Sequence, residues 1–140
     1  MVNTRKLLVD ADAFVALVCQ NDSSHQRAEI FQEQIIKDNF ELIVSDPAFG
    51  EAITVISQKE GLRVAVKFAD EVFASPLEII EVDPALRKEG LDIFKKQTSK
   101  NSRFTDCINM AIMKKLGLNT IFSFDVQYKK NKFKRFGVDK

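Results

Sequence analysis

Proline and glycine are scarce in this 140-residue chain, at three and five residues, which excludes collagen-like and Gly/Pro-rich disordered architectures. Cysteine occurs twice and histidine once. Cys19 and Cys107 fall in apolar stretches without ligand spacing, so they read as buried thiols of a reducing compartment rather than as a disulfide framework. Those numbers leave no room for a Cys/His zinc site. His25, in a polar helix start, reads as a capping or surface residue and gives a His-based triad little to build on. No apolar run approaches the roughly 20 residues of a membrane helix, and the longest is Ala13–Cys19. The first residues, Met1 to Leu7, carry no apolar stretch or small-residue cleavage site, so a cytoplasmic chain without membrane contact is expected. The five glycines stand isolated at positions 50, 61, 90, 117 and 137, which leaves no phosphate-cradling loop. No serine sits in the G-x-S-x-G context of a nucleophile elbow.

What is present is a globular composition, 45% apolar and 29% charged, of a length that makes a single domain over residues 1–140. The net charge of +1 hides an asymmetry: Val126 to Lys140 holds six basic residues against one acid, a local +5, so the rest carries −4. An acidic body with a basic tail suits an anionic polymer beside a metal-binding centre. Charge alone favours the plainer reading, a solvated surface helix and a ragged C-terminus.

Lys6 to Val9 is a short apolar run ending on Asp10, as a buried parallel strand would. A short helix over Ala11 to Val18 follows with almost no loop. The cluster from Asn21 to Ser24 opens a helix to about Lys37, with Ala28, Phe31 and Ile35 on its apolar face. Glu41 to Ser45 is a second strand, and Asp46 is expected to cap a helix whose first position is Pro47 and which Gly61 ends. Another helix spans about Leu62 to Phe73, Pro76 to Ile80 is a third strand, and Asp83-Pro84 opens a helix to about Lys96. After the loop-like Thr98 to Ser102, a strongly apolar helix runs from Phe104 to Leu116 and closes at Gly117, and Asn119 to Ser123 is a fourth strand. This alternation predicts a three-layer α/β/α sandwich around a mainly parallel sheet. Ligand sites of such folds lie beyond the carboxyl ends of the strands, where Asp10 and Asp125 fall.

Among 20 acidic residues, the informative ones stand where an acid is costly. Asp106 lies in a helix that is apolar on nearly every side, and a buried carboxylate is expensive unless paired or metal-bound. Its first-turn position is an alternative reason, worth about 0.3–1 kcal/mol through the helix dipole. Glu51 falls just outside the stripe of Phe49, Ala52, Ile53 and Ile56, at the border between core and solvent. Asp10 and Asp125 are strand-end acids that ordinary loops also supply. A carboxylate-only site presents hard oxygen ligands, which select Mg2+ or Mn2+.

The order of these acids resembles that of the PIN-domain nucleases, particularly the toxin subunits of VapBC-type toxin–antitoxin pairs. Four segments carry the likeness: Leu7 to Leu17, Ile43 to Glu51, Ser102 to Ala111 and Asn119 to Asp125, with Ser23 to Ala28 similar to the family's second helix. The resemblance implies a metal-dependent ribonuclease with Asp10, Glu51, Asp106 and Asp125 as its catalytic, metal-holding acids. Ser102, Thr105 and Ser123 would support them, Ser123 standing where the family often has Thr. Lys129, Lys130, Lys132, Lys134 and Arg135 would then neutralise RNA phosphates, and Tyr128 and Phe133 could stack a base, core packing being the favoured role for Phe133. A small antitoxin and a homodimer are implied as partners. The family's last strand should be short, unusual or missing here, because little chain follows Phe136. Two rivals remain: a haloacid-dehalogenase-type phosphatase using Asp10 as nucleophile and Asp12 as acid/base, and an inactive PIN-like scaffold. A receiver domain fits less well, with no mid-chain strand-end aspartate before a Pro-Gly turn.

Overall fold

The computed structural model describes residues 5–140, so the opening residues 1–4 of the signal-peptide argument lie outside it. Five parallel strands form one sheet in the order β3-β2-β1-β4-β5: β1 (Lys6–Val9), β2 (Glu41–Ser45), β3 (Glu78–Ile80), β4 (Thr120–Phe122) and β5 (Lys134–Arg135). Successive side chains of a strand point to opposite faces, and the core divides accordingly. Leu7, Val9, Val44 and Phe122 face one layer, built from α1 (Ala11–Val18), α2 (His25–Lys37), α3 (Asp46–Glu60) and α4 (Leu62–Ala74). Leu8, Ile43 and Ile121 face the other, built from α5 (Pro84–Lys95) and α6 (Phe104–Leu116), with Tyr128 of the short α7 (Val126–Lys130) packed among them. The expected α/β/α sandwich is the observed one.

Local chemistry sets the element ends. Asp83 Oδ1 accepts from Leu86 N at 2.8 Å with Pro84 in the first turn of α5. Gly117 ends α6 at φ 68°, a left-handed conformation that glycine adopts without steric cost. At α3 the cap is Ser45, whose Oγ accepts from Ala48 N at 3.3 Å, and Asp46 is already the first helical residue. The basic tail is ordered rather than ragged: α7 and a two-residue β5 complete the sheet beside β4, with Thr120 opposite Lys134 and Ile121 opposite Arg135. The family's last strand is thus present and short. Cys19 and Cys107 are both buried free thiols. No helix among the described residues is long and apolar enough to cross a membrane.

The chain runs from β1 outward to β2 and β3, then crosses to β4 on the other side of β1. The carboxyl ends of β1 and β4 therefore flank the switch point where such sheets leave a crevice.

Candidate active site

Asp10 leaves β1 and caps α1, its Oδ1 accepting from Ala11 N at 2.8 Å. Asp106 occupies the first turn of α6, where its Oδ2 accepts from Arg103 N at 3.3 Å. Asn109, three residues on and so on the same helix face, donates from Nδ2 to Asp10 Oδ1 at 3.1 Å and to Tyr128 Oη at 3.0 Å. Its own Oδ1 accepts from the Ser45 hydroxyl at 2.7 Å. All five side chains of this network are buried, Asp10 at 4% and Asp106 at 2% exposure.

The Tyr128 hydroxyl lies 2.8 Å from Asp10 Oδ2 and 3.2 Å from Asp106 Oδ1. It has one proton for two acceptors. The shorter contact takes it, and the contact with Asp106 closes when Asp106 itself carries a proton. The electrostatics agree: burial first, then the charges of Asp10 and Asp125, push Asp106 up to about 7. Burial also raises Asp10, against the opposing hydrogen bonds from Tyr128 and Ala11, and the charges of Glu51 and Asp125 add to the rise. Tyr128 is raised as well, by burial and then by the two aspartates.

Asp125 is half-buried after β4 and caps α7, accepting from Gln127 N at 2.9 Å. Its own N–H donates to Ser123 Oγ at 3.1 Å, and the Ser123 hydroxyl donates to Asp12 Oδ2 at 3.1 Å. Asp12 Oδ2 also accepts from Phe124 N at 2.8 Å, so Asp12 pins the turn that presents Asp125. Burial and the nearby Asp10 push Asp12 up to about 7, and its Oδ1 is buried without a hydrogen-bond partner among the described residues. Glu51, on α3, is 27% exposed and forms an ion pair with the Arg103 guanidinium.

The sequence-predicted acids thus reach one end of the sheet and act on one another electrostatically. They do not form a closed cage: among the described residues no three Asp, Glu, His or Cys side chains make a ready metal-ligand set. Glu51 is taken up by Arg103, and the Tyr128 hydroxyl stands between Asp10 and Asp106.

Several expected roles change. Tyr128 is fully buried and cannot stack a base, because its ring belongs to the core and its hydroxyl to the acids. Phe133 packs against the same core, as expected. Ser102 is buried, its Oγ 3.2 Å from Gln97 Oε1 and 3.3 Å from Gln127 Oε1. Thr105 is half-buried in the first turn of α6. Arg135 is held by both Asp139 oxygens, at 2.9 and 3.0 Å, and donates to Phe124 O at 2.9 Å. That pairing lowers Asp139 to about 2. Lys129 Nζ lies 3.9 Å from Asp139, whereas Lys130, Lys132 and Lys134 stand at the surface. His25 is structural, with Nδ1 donating to Ala16 O at 2.7 Å and Nε2 3.2 Å from Glu29. Asn109, Ser45 and Arg103 build the site without having been singled out by the sequence pattern, and Asp12, named there only as an acid/base of the rival reading, holds a turn instead. Asn109 carries a signal, an amide in an apolar helix one turn from an acid.

Residues 7–134 match the PIN-domain family model. No curated protein sequence matches the chain. Among solved structures, VapC20 of Mycobacterium tuberculosis, described as a Sarcin-Ricin loop cleaving toxin, superposes with a TM-score of 0.80 at 20% identity, covering 91% of this chain and 95% of that one. VapBC2 of Rickettsia felis, bound to a promoter DNA fragment, gives 0.64 at 15% identity over 89% and 92%. DNA-bound VapBC of Salmonella typhimurium gives 0.62 at 13% identity over 96% and 94%. At these identities the likeness is one of fold.

Proposed function

The chain belongs to the PIN-domain family, and on that premise we propose that it is a divalent-metal-dependent ribonuclease acting as the toxin of a toxin–antitoxin pair. The observation that carries the reading is a pair of buried aspartates, Asp10 and Asp106, with Asp125 and Glu51 in electrostatic reach of Asp10 and, among the described residues, no cationic side chain paired with either buried acid. Buried carboxylates raised toward neutral pH suit a hard divalent cation, whose charge would replace the proton that Asp106 takes up. Asp10, Asp106 and Glu51 are the residues to hold it, with Asp125 as a supporting ligand or water-positioning group. When bound, Mg2+ or Mn2+ supplies a water that is nucleophilic at neutral pH and charge relief on the phosphodiester oxygens.

The protein's own residues do the rest. Asn109 and Tyr128 hold the Asp10 carboxylate in one orientation from below, and Ser45 fixes the Asn109 amide. Asp12 and Ser123 hold the turn that carries Asp125. The PIN-family match speaks against the dehalogenase-type reading, and Asp12 Oδ2 is already engaged by the Ser123 hydroxyl and Phe124 N. The relatives described as VapC and VapBC support the toxin role and a small antitoxin as partner. A homodimer belongs to the same proposal.

The test is incubation of a mixed single-stranded RNA pool and of a generic phosphomonoester with the protein, in Mn2+ and in EDTA. RNA cleavage that needs Mn2+, without phosphomonoester turnover, is the expected result. An intact RNA pool in Mn2+ rejects the reading. Phosphate contacts should come from the tail: replacing Lys129, Lys130 and Lys132 together by Ala should weaken RNA binding and flatten its salt dependence by about 0.7 in slope for each phosphate no longer neutralised. A slope equal to that of wild type makes the tail a solvated surface only.

A further inference from the structure

We propose that Arg103 is an RNA phosphate-binding residue of this site, parked on Glu51 while the acids are metal-free and released to the substrate when Glu51 turns to its metal-holding role. The inference rests on the ribonuclease reading and assigns the site a residue that reading does not include. Arg103 directly precedes α6, and its backbone N–H donates to Asp106 Oδ2, so it is fixed at the edge of the acidic cluster. Its guanidinium reaches across to Glu51 on α3, a contact between residues 52 positions apart in the sequence. Asp10 and Asp106 are both more deeply buried than either member of this pair. Arg103 is 64% exposed against 27% for Glu51, so the cation stands on the solvent side.

Three arguments converge on a substrate role. A polyanion approaching four carboxylates is repelled, and a cation at their rim offsets that repulsion where the scissile phosphate must come. Guanidinium is the side chain whose planar fork matches phosphate oxygens. The pair is also poorly suited to be a structural staple, because ion pairs this exposed are held weakly and exchange partners readily. Arg135, which also acts electrostatically on Asp125 and Asp12, is nearly buried and engaged with Asp139 and Phe124 O, so it is not available for the role.

A parked arginine has a two-sided signature. Arg103→Ala removes a competitor for Glu51 and a positive charge, so Mn2+ measured alone by calorimetry should bind about 2–5-fold more tightly. Made in a Glu51→Gln background, where Arg103 is free, the same substitution should weaken binding of a fluorescent single-stranded RNA in EDTA about 5–10-fold, with the salt slope lower by about 0.7. Arg103→Lys should restore the slope but only part of the affinity, since the charge returns without the fork. Glu51→Gln should strengthen RNA binding in EDTA by freeing Arg103, and adding Arg103→Ala to it should cost more than Arg103→Ala costs alone. A staple would behave differently: both single variants would lower the melting temperature and leave the RNA salt slope unchanged. That result, with wild type still binding Mn2+ and cleaving RNA, overturns the role of Arg103 and spares the ribonuclease reading. A wild type that neither binds Mn2+ nor cleaves RNA overturns both.

Discussion

Asp106→Asn should slow RNA cleavage in Mn2+ by about 100-fold or more while leaving the fold intact. The asparagine has nearly the same volume, and its carbonyl oxygen can still accept from Arg103 N at the start of α6. Its amide N–H can donate to the Tyr128 hydroxyl, doing permanently what a proton on Asp106 does in the wild type. What disappears is one negative charge beside Asp10, the charge a divalent cation needs. The metal-free variant should therefore melt no lower than wild type at pH 8, because a repelling buried carboxylate is gone. A far-ultraviolet melt and a gel-based cleavage assay on the same preparations separate the two effects. Wild-type cleavage rates from Asp106→Asn in Mn2+ remove the residue from the centre of the mechanism.

The features that place Asp10 and the helix ends are legible in the sequence because they are local. An apolar strand ending on an acid, as Leu7, Leu8, Val9 and Asp10 do, needs no partner to be recognised, and neither does the cap at Asp83-Pro84 or the glycine stop at 117. Layers follow from alternation, since parallel crossovers leave few arrangements. The polar floor of the site is not legible in the same way. Asn109 is surrounded by apolar neighbours that dominate the helix pattern, and its value lies in contacts to Ser45 and Asp10, 64 and 99 residues away. Tyr128 stands among lysines in the sequence, and α7 is too short to show a period that would mark it as core. Arg135 looks like a free cation by charge alone, although Asp139 stands four residues on, a spacing that reaches in the compact tail. Charge composition tells where basic residues are, and only the folded contacts tell which of them are already spoken for.

The second large effect is a stability that runs in opposite directions with pH in the absence and presence of metal. Asp106 and Asp12 are both raised to about 7 and Asp10 is raised as well, against 3.8 for an ordinary aspartate. Between those values the native protein binds protons that the unfolded chain does not, so metal-free stability falls as pH rises through that window. Lowering the pH from 8 to 5 should thus raise the metal-free melting temperature, by roughly 5 °C for a chain of this size. Asp139 has the opposite sign, but its loss of stability comes only as pH falls below about 4 toward 2, outside the window. Mn2+ binds the ionised acids and must displace their protons, so its stabilisation should be largest at pH 8 and fade by pH 5. At 100 times its dissociation constant the ion adds about 2.7 kcal/mol, enough to lift the melting temperature by several degrees and invert the trend. Calorimetry of Mn2+ binding in buffers of different ionisation enthalpy should also record proton release at pH 7. A metal-free protein that melts lower at pH 5 than at pH 8 would show that the buried aspartates are not the strained pair the geometry describes. An unchanged melting temperature on adding Mn2+ at pH 8 would show that no cation replaces their protons.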